Sequence, residues 1–117
     1  TLANTTDIPY DLACQVVGVP DASAVVLRFI AVRTFTLSAS GQQGTAAIAA
    51  TAQTDFIVAV NGVTKATLRF AASGATISVV GGTAAAIAAG DIVTITAPGS
   101  ADATLADIGF TLTWVLI

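Results

Sequence analysis

The sequence predicts an all-β fold, an antiparallel two-sheet sandwich of jelly-roll type with about seven or eight strands. Three observations lead to it. Apolar and polar residues alternate with period two through the C-terminal segment and on both sides of Asn61-Gly62. Gly, Pro, Asp and Ser interrupt the chain at short intervals, as turns between short strands do. No stretch carries a credible long helix, and runs of strands without helices make sandwiches or jelly rolls.

Taken in order, residues 1–8 are polar and without alternation, and are read as a lead-in to a single domain over residues 9–117. Strands are expected over 12–17, 24–31 and 34–37. Residues 45–54 pose a conflict, because alanine is the best helix former, yet the stretch is short, laced with threonine and leads straight into a strand. It is assigned as extended strand. Phe56, Val58 and Val60 alternate before Asn61-Gly62, and Thr64, Ala66, Leu68 and Phe70 after it. That is a hairpin, since both central residues of a type I′ turn need positive φ.

Further strands are expected over 75–80 and 92–97, with 83–89 a short strand or turn. Gly81-Gly82, Ala89-Gly90-Asp91 and Pro98-Gly99 supply turns, as do Gly41-Gln42-Gln43-Gly44. The last strand alternates Ala106, Ile108, Phe110, Leu112, Trp114 and Leu116 with Asp107, Gly109, Thr111, Thr113 and Val115. The apolar phase assigns Phe56, Val58, Leu68, Phe70, Val93, Ile95, Ile108, Phe110 and Leu112 to one core, with Trp114 on the same face.

Composition narrows the function. The chain of 117 residues is 55% hydrophobic and 9% charged, against roughly 25% charged in an ordinary soluble domain. It contains no His and no Glu, which removes His-dependent triads, the usual zinc sites and most paired-carboxylate designs. Four basic residues against seven aspartates give a net charge of -3, unsuited to a phosphate backbone or an anionic membrane surface, so no nucleic-acid partner is expected. The mean hydropathy of +0.86 would suit a membrane protein. Yet Arg28, Arg33 and Asp91 cut the apolar runs far short of the ~18–20 residues a spanning helix needs, and seven aromatics are too few for the two girdles of a transmembrane barrel. No membrane insertion is expected. Thr1 opens a polar stretch without the basic head of a secretory leader, and is read as a processed terminus or the start of the ordered part of a longer chain.

Few groups could carry chemistry. Asp91, Asp102 and Asp107 lack the regular spacing of a calcium loop and read as turn aspartates that cap local backbone. Cys14 has no histidine to activate it and reads as a small hydrophobe. No metal ligand set, cofactor site or catalytic residue is assigned. Candidate interface or binding residues are Tyr10, Arg28, Arg33 and Arg69: a guanidinium within an apolar strand can meet a carboxylate, a sugar or a partner backbone, and Tyr10 could stack on a sugar. Arg69 shares an outward polar stripe with Lys65 and Thr67.

Ile8-Pro9-Tyr10-Asp11-Leu12-Ala13, Val26-Leu27-Arg28-Phe29, Val60-Asn61-Gly62-Val63, Ala89-Gly90-Asp91-Ile92-Val93-Thr94-Ile95-Thr96-Ala97-Pro98 and Asp102-Ala103-Thr104-Leu105-Ala106-Asp107-Ile108 follow one another in this chain. In that order and spacing, over residues 8–113, they resemble a β-sandwich module of bacteriophage and gene-transfer-agent virion proteins, often at the C-terminal end of fibre, spike or baseplate components. The chain departs from that pattern in its alanine-rich residues 45–54 and its hydrophobic tail 113–117. The resemblance implies a structural or adhesive role in the virion, outside the bacterial cell, with no family catalytic residues to carry over.

Sparse charge predicts self-association, as a trimer, the favoured count, or as one of many copies on a particle, and the resemblance implies contacts to other virion proteins. The alternative is a receptor-binding module whose loops touch a host cell-surface glycan, and a polysaccharide-degrading enzyme is a distant third. An exposed aromatic cluster at one end of the sandwich would favour the glycan. A flat face buried between copies would favour assembly.

Overall fold

The computed structural model describes residues 8–100 and 102–116, with side chains described for 12–100 and 102–113. It is all-β. Ten strands follow in order: β1 (Ile8–Val16), β2 (Val25–Ile30), β3 (Phe35–Leu37), β4 (Gln43–Ile48), β5 (Thr54–Val60), β6 (Val63–Phe70), β7 (Ile77–Val80), β8 (Ala85–Ile87), β9 (Ile92–Thr96) and β10 (Ala106–Leu116). They form two five-stranded antiparallel sheets. The first has the order β1-β10-β3-β8, with β4 also against β10; the second has the order β2-β9-β5-β6-β7. The chain crosses repeatedly between the sheets, and first and last strands lie side by side, which is jelly-roll connectivity.

The expected core is the observed one. Phe56, Phe70 and Leu68 from the second sheet and Ile108, Phe110 and Leu112 from the first are at most 1% exposed, and Val58, Val93 and Ile95 join them. Phe56 lies 5.1 Å from Phe110 and 6.1 Å from Phe70, centroid to centroid, and Phe70 lies 6.1 Å from Phe110. These spacings suit tilted and edge-to-face contacts, so three rings couple the two sheets. Trp114 falls outside the described side chains.

The Asn61-Gly62 hairpin forms as expected, with φ of 50° and 83°. Residues 83–89 contribute the three-residue β8, paired with β3. Three expectations are corrected. Ile8 belongs to β1, paired with Leu116, and not to the lead-in. The strand proposed over 45–54 stops at Ile48: the N–H groups of Thr51 and Ala52 turn to Asp102, and that of Ala50 to the Gly74 carbonyl, leaving 49–53 as a loop. The turn proposed over 41–44 covers only its first half. Gln43 and Gly44 are strand, because Gly44 lies under Phe110, where a Cβ would stand 2.8 Å from the ring.

Candidate functional site

The outer faces of the two sheets differ in chemistry. On the second sheet, the phase opposite the core brings out Arg28, opposite Thr94, and Arg69 with Lys65 and Thr67. Arg69 forms an ion pair with Asp55 on the neighbouring strand, Nε to Oδ1 2.9 Å, both side chains about one-third exposed. The carboxylate raises the guanidinium's already high pKa. Exposed pairs of this kind add little stability.

On the first sheet the outward phase carries Ala13 and Gln15 from β1, Gly109, Thr111 and Thr113 from β10, Gln43 and Thr45 from β4, Thr36 from β3 and Ala86 from β8. Gly109 sits between Gln15 and Thr45, and Thr111 between Ala13 and Gln43. A missing side chain at Gly109 leaves an open trough of about 360 Å³ flanked by carboxamides, hydroxyls and methyls. Nothing lies within 4 Å of where a Cβ on Gly109 would be. No Lys or Arg stands among the described side chains of this face. Among the described side chains its charged group is Asp107 at the margin, whose Oδ1 accepts the Gly18 N–H at 2.8 Å, and Asp11, opposite Thr113, falls in the same phase by register. Asp107 has φ of 57°, a left-handed conformation that Asp tolerates better than most residues.

The other turn aspartates serve as backbone acceptors. Asp102 receives the N–H groups of Thr104 and Leu105 at 3.0 Å each, that of Ala52 at 3.0 Å, and both the N–H and the hydroxyl of Thr51. The Thr104 N–H foremost, then those of Leu105 and Ala52 and the Thr51 hydroxyl, hold its carboxyl far below the usual carboxylate range in spite of partial desolvation. At the opposite end Asp91 accepts the Ala88 N–H at 2.9 Å and the Asn61 amide at 3.0 Å, in that order of effect, and its pKa is also lowered. Asn61 Oδ1 in turn accepts the Ile92 N–H at 2.9 Å. The expected turn role of these aspartates is thus seen in the local donors Ala88, Thr104 and Leu105, to which Asn61, Thr51 and Ala52 add partners distant in sequence.

The proposed binding residues are not gathered into one site. Arg28 and Arg69 lie on the outer face of the second sheet with β9 and β5 between their strands, and Arg33 is exposed in the loop between β2 and β3. Tyr10 pairs with Trp114 across β1 and β10, but both side chains lie outside those described. Cys14 is half-buried against the core, and burial pushes its thiol pKa up. Among the described side chains, Phe35, Phe56, Phe70 and Phe110 are buried and Phe29 is half-buried, so none offers an exposed stacking platform. No group of three or more His, Cys, Asp or Glu suited to a metal occurs among the described residues. The trough went unnoticed in the sequence, although a glycine at an outward position of a strand marks a place where another surface can come close.

Compared with protein-family models and with curated proteins, the chain gives no match.

Proposed function

We propose that this chain is a non-catalytic structural module of a bacteriophage particle, which self-associates and contacts other virion proteins in fibre, spike or decoration assemblies outside the cell. The observation that carries the non-catalytic part is the use made of the carboxylates. Asp55, Asp91, Asp102 and Asp107 are each held by hydrogen bonds to backbone or to a neighbouring side chain. A general base must be poised near the working pH, whereas Asp91 and Asp102 are driven the other way.

Self-association is supported by large apolar side chains left in solvent: Val17 at 82%, Val32 at 72%, Val63 at 57% and Val25 at 56% exposure. The phage setting rests on the ordered sequence motifs.

The test is sedimentation of the full chain, combined with a glycan array and an assay for sugar release from host polysaccharide. A defined oligomer with neither glycan binding nor sugar release is expected. Binding without release would move the reading to a receptor-binding module. Release abolished by Asp102→Asn or Asp107→Asn would overturn it in favour of an enzyme.

A further inference from the structure

We propose that Asn61-Gly62 is a site of spontaneous covalent modification that the fold holds shut, through the Asp91 carboxylate and the Ile92 N–H, until this end of the sandwich opens.

The turn supplies the reacting groups. Asn61 is exposed, Gly62 follows it without a side chain, and nothing lies within 4 Å of where a Cβ on Gly62 would be. In the reaction the Gly62 nitrogen bonds to Asn61 Cγ and gives up its proton, the Cγ–Nδ2 bond breaks, and ammonia leaves with that proton. Water then opens the five-membered imide at either carbonyl, leaving aspartate or isoaspartate at position 61. The step consumes one water and needs no oxidant or reductant.

The fold withholds the carboxamide from this reaction. Its Nδ2 donates to Asp91 Oδ1 at 3.0 Å and its Oδ1 accepts the Ile92 N–H at 2.9 Å, so donor and acceptor chemistry fix which way the group points. The Asn61 N–H donates to the Ile92 carbonyl at 2.8 Å, which holds the main chain of the same residue. Asp91 is itself anchored: its Oδ2 accepts the Ala88 N–H at 2.9 Å and its carbonyl accepts the Ala31 N–H, also at 2.9 Å. Closing the imide ring requires the Asn61 side chain and its ψ to rotate. The φ values of 50° at Asn61 and 83° at Gly62 belong to a tight turn that such a rotation destroys. Both carboxamide bonds must therefore break, and the turn must give, before reaction. Reaction waits on a local opening.

The product does not refasten. A carboxylate at position 61 faces the Asp91 carboxylate where an amide donor stood, and isoaspartate adds a methylene to the main chain of a two-residue turn. Each opening that ends in reaction thus leaves a permanent mark that the hairpin has parted from the β8–β9 turn.

Incubation of the full chain at neutral pH, followed by peptide mass spectrometry, reads the reaction as a gain of one mass unit at Asn61. The native parent is expected to react at least ~10-fold more slowly than the same chain unfolded in guanidinium chloride. Asp91→Ala, shown to be folded by its far-UV spectrum, should react several-fold faster than the native parent. Asp102→Ala weakens the opposite end and leaves the Asn61 contacts in place, so it should stay near the parent rate. Equal rates in the native and unfolded parent overturn the proposal, whether or not either variant folds. A folded Asp91→Ala that reacts no faster than the parent also overturns it. Equal acceleration in Asp102→Ala would place the barrier in the stability of the whole domain and overturn the part given to Asp91 and Ile92.

Discussion

Thr51 and Asp102 stand fifty-one positions apart and meet through a backbone N–H 3.0 Å from Oδ2 and a hydroxyl 2.8 Å from the same oxygen. With the N–H groups of Ala52, Thr104 and Leu105 on the same carboxylate, one side chain ties the β4–β5 loop to the β9–β10 loop. Five donors on one acceptor group leave little tolerance for its replacement.

Asp102→Ala and Asp102→Asn should therefore both lower the thermal midpoint at neutral pH, the second because a carboxamide turns an N–H₂ toward donors. The acid dependence follows from the lowered pKa values of Asp102 and Asp91. Their unfolded values lie near ~3.9, so their contribution is complete above that pH and is lost as pH falls through the lower folded values. Melting curves from pH 7 to pH 2 should show a shallower acid decline in Asp102→Ala than in the parent. Identical declines would contradict the assignment.

Phe110→Ala removes the ring that joins Phe56 and Phe70 across the sheets. A loss of about 3–5 kcal/mol is expected from denaturant unfolding. A loss below 1 kcal/mol would contradict the three-ring contact.

Gly44 and Gly109 face each other's neighbours on β4 and β10 but should respond oppositely to a methyl group. Gly44→Ala presses on Phe110 and on Ile77, 3.1 Å away, and should cost about 1–3 kcal/mol. Gly109→Ala enters open space and should stay within about 0.5 kcal/mol. Chemical denaturation of the pair decides it.

Asn61→Asp, the product of deamidation at Asn61-Gly62, would set a second carboxylate against Asp91 in place of an amide donor 3.0 Å away. Repulsion should raise the pKa of the facing pair relative to Asp91 in the parent. The variant should be less stable at pH 7 and recover relative to the parent as pH falls toward 4. An NMR titration that leaves Asp91 unmoved would refute the contact.

Period-two alternation was enough to find β5, β6, β9 and β10, because Phe, Ile, Leu and Val contrast sharply with Thr, Asp and Lys on the opposite phase. It failed where alanine fills both phases: in residues 45–54 neither face announces itself, and the strand ends where Asp102 and Gly74 supply alternative partners for the backbone. The turn preference of Asp102 was legible from Asp102-Ala103-Thr104, whereas its bonds to Thr51 and Ala52 depend on two loops brought together only by the fold. The trough is similarly a product of registry. Gln15, Gly109 and Thr45 are unremarkable apart, and become one surface once β1 and β4 flank β10.

Pairing of Ile8 with Leu116 also sets the order in which the molecule can be made. The β5–β6 hairpin closes over a two-residue turn and is available as soon as it leaves the ribosome. The first sheet has no central strand until β10 has been synthesised, so β1 and β4 lack their partner in that sheet and β3 has only β8. Such long-range closure belongs to the slow end of two-state folding, roughly milliseconds to seconds, and makes completion of the first sheet wait for β10.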